Sequence, residues 1–157
     1  MRILITNDDG LAAPVLPHLV RWARKLGDVT VVVPKVEQSG KSHAIDFTRP
    51  IEIKEVEIAD GVTVWSMDST PADCVRFAVL GKKMEFDLII SGINRGFNLG
   101  KDIVYSGTCG AVFEGARLGI KGIALSTEPT SYEAAIARLD SLWSFIEEKK
   151  LLDKNNL

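Results

Sequence analysis

RILITNDDG, residues 2–10, runs from five strand-forming residues into three polar side chains and a glycine. Short apolar, β-branched stretches bounded by turn residues mark strands buried on both faces, as in a parallel sheet. Asn7, Asp8 and Asp9 then stand at the strand's carboxyl end, where open α/β sheets bind their ligands. Working outward, residues 29–34 (VTVVVP) read as a second buried strand. Between the two, Val15, Leu16, Leu19, Val20, Ala23 and Leu26 recur at helical spacing, with His18, Arg21, Arg24 and Lys25 on the other face and Gly27 past the end. The segment is therefore a βαβ unit.

The rest of the chain continues the alternation. Residues 51–58 (IEIKEVEI) alternate in polarity and residues 62–67 (VTVWSM) follow an Asp60-Gly61 turn, which predicts a hairpin with one solvated face. Helices are expected over Pro71–Gly81 and Ser106–Gly119, and buried strands over residues 87–91 (DLIIS) and 121–126 (KGIALS). Thr130 and Glu133 have the spacing of a capping box opening a helix to about Lys150, with Ile136, Leu139, Trp143 and Ile146 on one face. The pattern predicts an α/β fold: a doubly wound, Rossmann-like, mostly parallel sheet with helices on both faces, as one domain over residues 1–157.

Composition narrows the partners. With 157 residues, 46% hydrophobic and 25% charged, the chain can bury a sizeable core. A net charge of −2 gives no basic footprint for a nucleic-acid duplex or an anionic membrane. A small soluble ligand is the better expectation. No apolar run approaches membrane-spanning length and the N-terminal strand is too short for a signal peptide, so the expected location is the cytoplasm. Cys74 and Cys109 lack CxxC spacing and sit among apolar residues, as reduced core cysteines do.

Three loops leave the carboxyl ends of the expected parallel strands: residues 7–10 (NDDG), residues 35–43 (KVEQSGKSH) and residues 91–110 (SGINRGFNLGKDIVYSGTCG). Adjacent carboxylates repel unless a cation lies between them, and hard oxygen ligands suit Mg²⁺, Mn²⁺ or Ca²⁺. Taken alone, Asp8 and Asp9 also fit a helix cap and turn. Six of the thirteen glycines fall between Gly92 and Gly115, more than packing of the following helix requires, and Ser106-Gly107-Thr108 opens that helix with free N–H groups and two hydroxyls. A metal site beside an anion cradle, with no Walker motif and no GxGxxG, points to hydrolysis of a phosphate ester.

The segments ILITNDDG, EQSG, TPADCV and SGINRGFNLGKDIVYSGT, with the ensuing GAVFEGARLG, resemble in order the SurE family from Met1 to about Thr127. That family comprises stationary-phase survival proteins that are metal-dependent 5'(3')-nucleotidases and acid phosphatases. The resemblance implies that Asp8, Asp9, Ser39 and Asn94 bind one divalent cation, Mg²⁺ or Mn²⁺. It places Asn98, Ser106, Gly107 and Thr108 around the phosphate of a nucleoside monophosphate, with Asp8 or Asp9 as the catalytic group that orients or deprotonates water. Two local departures are Cys109, where the family has a small aliphatic residue, and Ala12 and Val15, where a polar residue or glycine is expected. The family's extended hairpin and exchanged tail have no counterpart in this sequence. The expectation is a homodimer of reduced activity, with a tetramer reserved for a longer form.

Two rivals stand beside the phosphatase. A metal-bound nucleotide sensor would bind without turnover. A receiver-type signalling domain also carries paired acidic residues after its first strand, but Val33-Pro34 and Ser126-Thr127 stand where it needs an aspartate and a lysine. His43 fits either substrate contact or a structural role; Trp22, Trp65 and Trp143 fit packing.

Overall fold

The computed structural model describes residues 1–58 and 62–153. Six strands form one sheet: β1 (Arg2–Thr6), β2 (Asp28–Pro34), β3 (Ile53–Ile58), β4 (Val62–Met67), β5 (Leu88–Arg95) and β6 (Lys121–Thr127), in the order β3-β4-β2-β1-β5-β6. Among the described residues only the β3–β4 pairing is antiparallel. The five parallel strands thus run in the Rossmann order 3-2-1-4-5, not the 2-1-3-4-5 of flavodoxin-like and receiver folds, with the switch point between β1 and β5. The receiver reading falls on this topology. The Asp60-Gly61 turn expected between β3 and β4 lies outside the described residues.

Helices α1 (Leu16–Ala23) and α4 (Glu133–Glu148) cover one face, and α2 (Pro71–Arg76) and α3 (Gly107–Arg117) the other. Alternation along β1 explains the division, because Ile3 and Ile5 pack with Leu16, Leu19, Val20 and Leu139, whereas Leu4 packs with Cys74, Val75, Ala78 and Ala111. Ile3, Leu4 and Ile5 are all fully buried, each worth roughly 1.5–3 kcal/mol of burial. Both cysteines are buried and unpaired, as expected. Trp22 packs edge-on against Trp143 at 6.4 Å and donates from Nε1 to Asp140 at 2.8 Å, which joins α1 to α4. Among the described residues no helix is long and apolar enough to cross a membrane.

Several boundaries differ from the sequence reading. The expected helix over Pro71–Gly81 changes after Arg76 into a π-helical turn, Phe77–Gly81. The strand expected to stop at residue 91 continues as β5 to Arg95, with a register irregularity between Ser91 and Asn94 before pairing resumes with Ser126 and Thr127. Gly92, at φ 135°, permits it, since a Cβ there would run into the Leu125 carbonyl. The Thr130–Glu133 capping box is not formed: Ser131 Oγ takes the Glu133 N–H at 3.0 Å, and Thr130 donates to Glu128 instead. Ser131 is one residue nearer the helix and reaches the orphan donor first.

Candidate active site

The loop after β1 is shaped by its first polar residue. Asn7 is fully buried, donates from Nδ2 to the Gly10 carbonyl at 3.0 Å and accepts the Gly10 N–H on Oδ1 at 3.1 Å. That reciprocal clamp closes the turn and leaves Asp8 and Asp9 at its apex. Gly10, at φ 86°, lets the loop approach the next one, because a Cβ there would lie 2.8 Å from the Val36 carbonyl carbon.

The three loops meet at Asp8. Its main-chain carbonyl accepts the Gln38 N–H at 2.7 Å, and its Oδ1 accepts the Thr108 hydroxyl proton at 2.6 Å. The first turn of α3 therefore addresses Asp8 directly. Gly107 is required by this approach: a Cβ there would lie 3.1 Å from Asp8 Cβ, 3.2 Å from the Gln38 carbonyl oxygen and 3.3 Å from Asp8 Oδ2. Asp9 receives, at 3.4 Å, the Tyr132 hydroxyl from the approach to α4.

Asp8 is almost completely buried and Asp9 half-buried. Burial pushes the Asp8 carboxyl above its ordinary range, against the pull of the Thr108 hydrogen bond. Burial and then the Asp8 charge raise Asp9. Glu37 adds negative charge to both. A cation between the carboxylates would offset these penalties.

The neutral ligands expected alongside them suit that cation. Ser39 Oγ donates its proton to Glu37 Oε1 at 2.6 Å, which leaves oxygen lone pairs to offer. Asn94 donates from Nδ2 to the Gly96 carbonyl at 2.8 Å, which fixes the amide plane and turns Oδ1 away as an acceptor. Among the described residues no three His, Cys, Asp or Glu side chains cluster for a metal. The candidate set is instead two carboxylates, a hydroxyl and an amide, a donor set for a hard cation that keeps coordination positions open.

Of the four residues expected around phosphate, Ser106 and Gly107 stand at the start of α3 beside Asp8, and Asn98 is oriented by donating from Nδ2 to Ser126 Oγ at 2.7 Å. Thr108 carries a second task, since its hydroxyl holds Asp8. Ser106 Oγ accepts the Cys109 N–H at 3.1 Å as the helix cap. Ser106→Ala is therefore expected to lower stability by about 1 kcal/mol in urea denaturation, apart from any effect on phosphate. An unchanged unfolding midpoint would show that the cap contributes nothing.

Glu37 and Tyr132 are not legible as site residues in the sequence, and neither is Glu114, which lies farther along α3. Glu114 had a signal, a lone carboxylate within the small, apolar GAVFEGARLG run, where a buried charge needs partners.

Residues 3–155 match the family described as Survival protein SurE. The chain is 44% identical over 139 residues to the 5'-nucleotidase SurE of Thermosipho melanesiensis, covering 86% of this chain and 54% of that protein. It is 48% identical over 127 residues to the 5'-nucleotidase SurE of Acinetobacter baumannii, covering 80% and 48%. The crystal structure of the SurE protein from Aquifex aeolicus superposes with a TM-score of 0.76 at 36% identity, covering 99% of this chain and 62% of that one. The chain spans about half the length of the curated relatives it matches.

Proposed function

The chain belongs to the SurE family, and from that premise we propose that it is a metal-dependent phosphomonoester hydrolase acting on nucleoside monophosphates, a 5'-nucleotidase with 3'-nucleotidase activity included. The observation that carries the reading is the meeting of three loops at Asp8: the Gln38 N–H on its carbonyl, and the Thr108 hydroxyl and the helix start on its carboxylate. Acidic oxygens and a helix N-terminus in one crevice can hold a cation and a phosphate together.

In this proposal Asp8, Asp9, Ser39 and Asn94 hold one Mg²⁺ or Mn²⁺. When bound, that cation supplies Lewis-acid polarisation of a phosphoryl oxygen and activation of water. Asn98 and the Ser106-Gly107-Thr108 turn hold the phosphate, and the positive end of the α3 dipole stabilises the charge that develops on its oxygens. Thr108 keeps Asp8 oriented while Asp9, the less buried of the pair, directs the attacking water. A homodimer and a cytoplasmic location belong to the same proposal; the two unpaired cysteines support a reducing compartment.

The test is phosphate release from nucleoside 5'-monophosphates with added Mn²⁺ or Mg²⁺ and with EDTA. Release is expected with either cation and none with the chelator. Undiminished release in EDTA would end the metal reading, and nucleotide binding without release would make the chain a sensor.

A further inference from the structure

Glu114 is the most heavily engaged buried charge outside the crevice, its side chain only 3% exposed. Its Oε1 accepts from Arg76 of α2 at 3.1 Å and from Arg117 of α3 at 2.6 Å, and its Oε2 pairs with His43 Nε2, on the loop after β2, at 2.8 Å. Burial alone would raise this carboxyl, but the hydrogen bonds from Arg117, His43 and Arg76 outweigh it and hold it below its ordinary range. In the proposed hydrolysis its carboxylate touches neither cation nor phosphate. From Gly107 to Glu114 the helix rises about 10 Å, which sets Glu114 two turns along α3 from the residue that packs on Asp8.

The loop that carries His43 has no helix or strand between β2 and β3, yet it is fastened along its length. Lys41 N donates to the Gln38 carbonyl at 3.3 Å and Ala44 N to the Lys41 carbonyl at 3.1 Å, so successive turns join Gln38 and Ser39 to His43. Ser42, a non-glycine residue at φ 57°, donates from N to the Tyr105 carbonyl at 2.9 Å and from Oγ to the Val104 carbonyl at 2.6 Å. Those partners belong to another loop-like segment, the 3-10 turn Gly100–Tyr105. Glu114, by contrast, is clamped by arginines from two helices and is a fixed reference.

We propose that the His43–Glu114 hydrogen bond is the latch that sets the position of the cation-site loop, which makes His43 and Glu114 positioning residues for the Ser39 ligand and the Gln38–Asp8 contact. The inference rests on the reading of the cation site given above. It resolves the two roles open to His43 in favour of the one that acts through another residue.

His43→Ala tests it without exposing an orphaned charge, because Arg117 Nε still donates to Glu114 Oε2 at 3.2 Å. Two readouts are used: hydrogen exchange of the Gln38 and Ser42 amides in the metal-free chain, and calorimetric titration with Mn²⁺. Exchange at both amides should become about tenfold faster, and Mn²⁺ affinity should fall roughly tenfold to a hundredfold, as for other groups that orient ligands from behind. His43→Gln, whose amide can donate to Glu114, should restore most of both. A role confined to packing would lower the melting temperature and leave exchange at Gln38 and the Mn²⁺ affinity of the folded chain unchanged, which overturns the latch. A wild-type chain that takes up no Mn²⁺ overturns the cation-site reading, and the proposal with it. Wild-type uptake matched by His43→Ala overturns the latch alone.

Discussion

Asp8→Asn is expected to reduce metal-stimulated phosphate release by more than about a hundredfold, beyond the usual loss from removing a supporting outer partner, while the chain stays folded. The two halves of that expectation have separate causes. An amide oxygen at position 8 can still accept the Thr108 hydroxyl proton, and the Gln38 N–H goes to the main-chain carbonyl, so the contacts that join the three loops survive. What disappears is one of the two anionic ligands. Stability responds in the opposite direction. Asp8 and Asp9 both have carboxyls raised above the ordinary value by burial, so in the metal-free protein the native state holds their protons more tightly than the unfolded chain does. Their contribution is favourable near and below the ordinary carboxyl range and is lost as pH rises through the raised folded values. Urea midpoints in EDTA at mildly acidic and neutral pH should show the wild type losing stability, relative to Asp8→Asn, as pH rises. A variant that is inactive because it is unfolded, or a wild type that gains on the variant toward neutral pH, would refute the account.

β1 is legible to the residue because a short β-branched run stopped by a polar turn is too brief for a helix and fits a strand buried on both faces, as Ile3, Leu4 and Ile5 are. The convergence of NDDG, the loop after β2 and the glycine-rich loop followed from topology alone, since parallel strands place their carboxyl ends together. Continuation of β5 through Gly92 to Arg95 was not legible, because ladder pairing uses backbone groups and the apolar signal stops at Ile90. Nor was the division of labour within Ser106-Gly107-Thr108. Sequence shows two hydroxyls at a helix start; the structure shows one capping Cys109 and the other holding a carboxylate 100 positions away. The glycines of α3 divide in the same way. Gly110 and Gly115 are packing residues, as the small-residue run containing them implies, whereas Gly119, just past α3 and expected to pack as well, sits at φ 77° with open space around it and serves the turn into β6.

Gly110→Ala should be nearly as damaging to activity as loss of an aspartate, although residue 110 touches neither cation nor phosphate in the proposed site. A Cβ at this position would run into the Ser42 carbonyl and lie 3.0 Å from His43 Cα, so the clash is with backbone and no rotamer change relieves it. Ala is favoured over Gly in a helix interior by about 1 kcal/mol, which opposes the clash but is smaller than the roughly 1–3 kcal/mol that overpacking of a close contact costs. The helix cannot yield, because Ala111 is fully buried against the sheet and Glu114 is clamped from α2 and α3. The loop must move, and Ser42 and His43 carry Ser39 and Gln38 with them through their linked turns. A displacement of about 1 Å at a ligand-bearing loop is enough for on the order of a hundredfold loss of rate. The accompanying loss of stability should be modest, since the displaced residues are mostly solvent-facing. Gly115→Ala is the internal control: its Cβ would meet the Ile89 side chain of β5 rather than the loop backbone, so it should lower stability and leave the rate per folded molecule unchanged. Should Gly110→Ala keep full activity and gain the stability that helix propensity alone predicts, the loop would be free to sit away from α3, and the close contact with Ser42 would have no part in building the site.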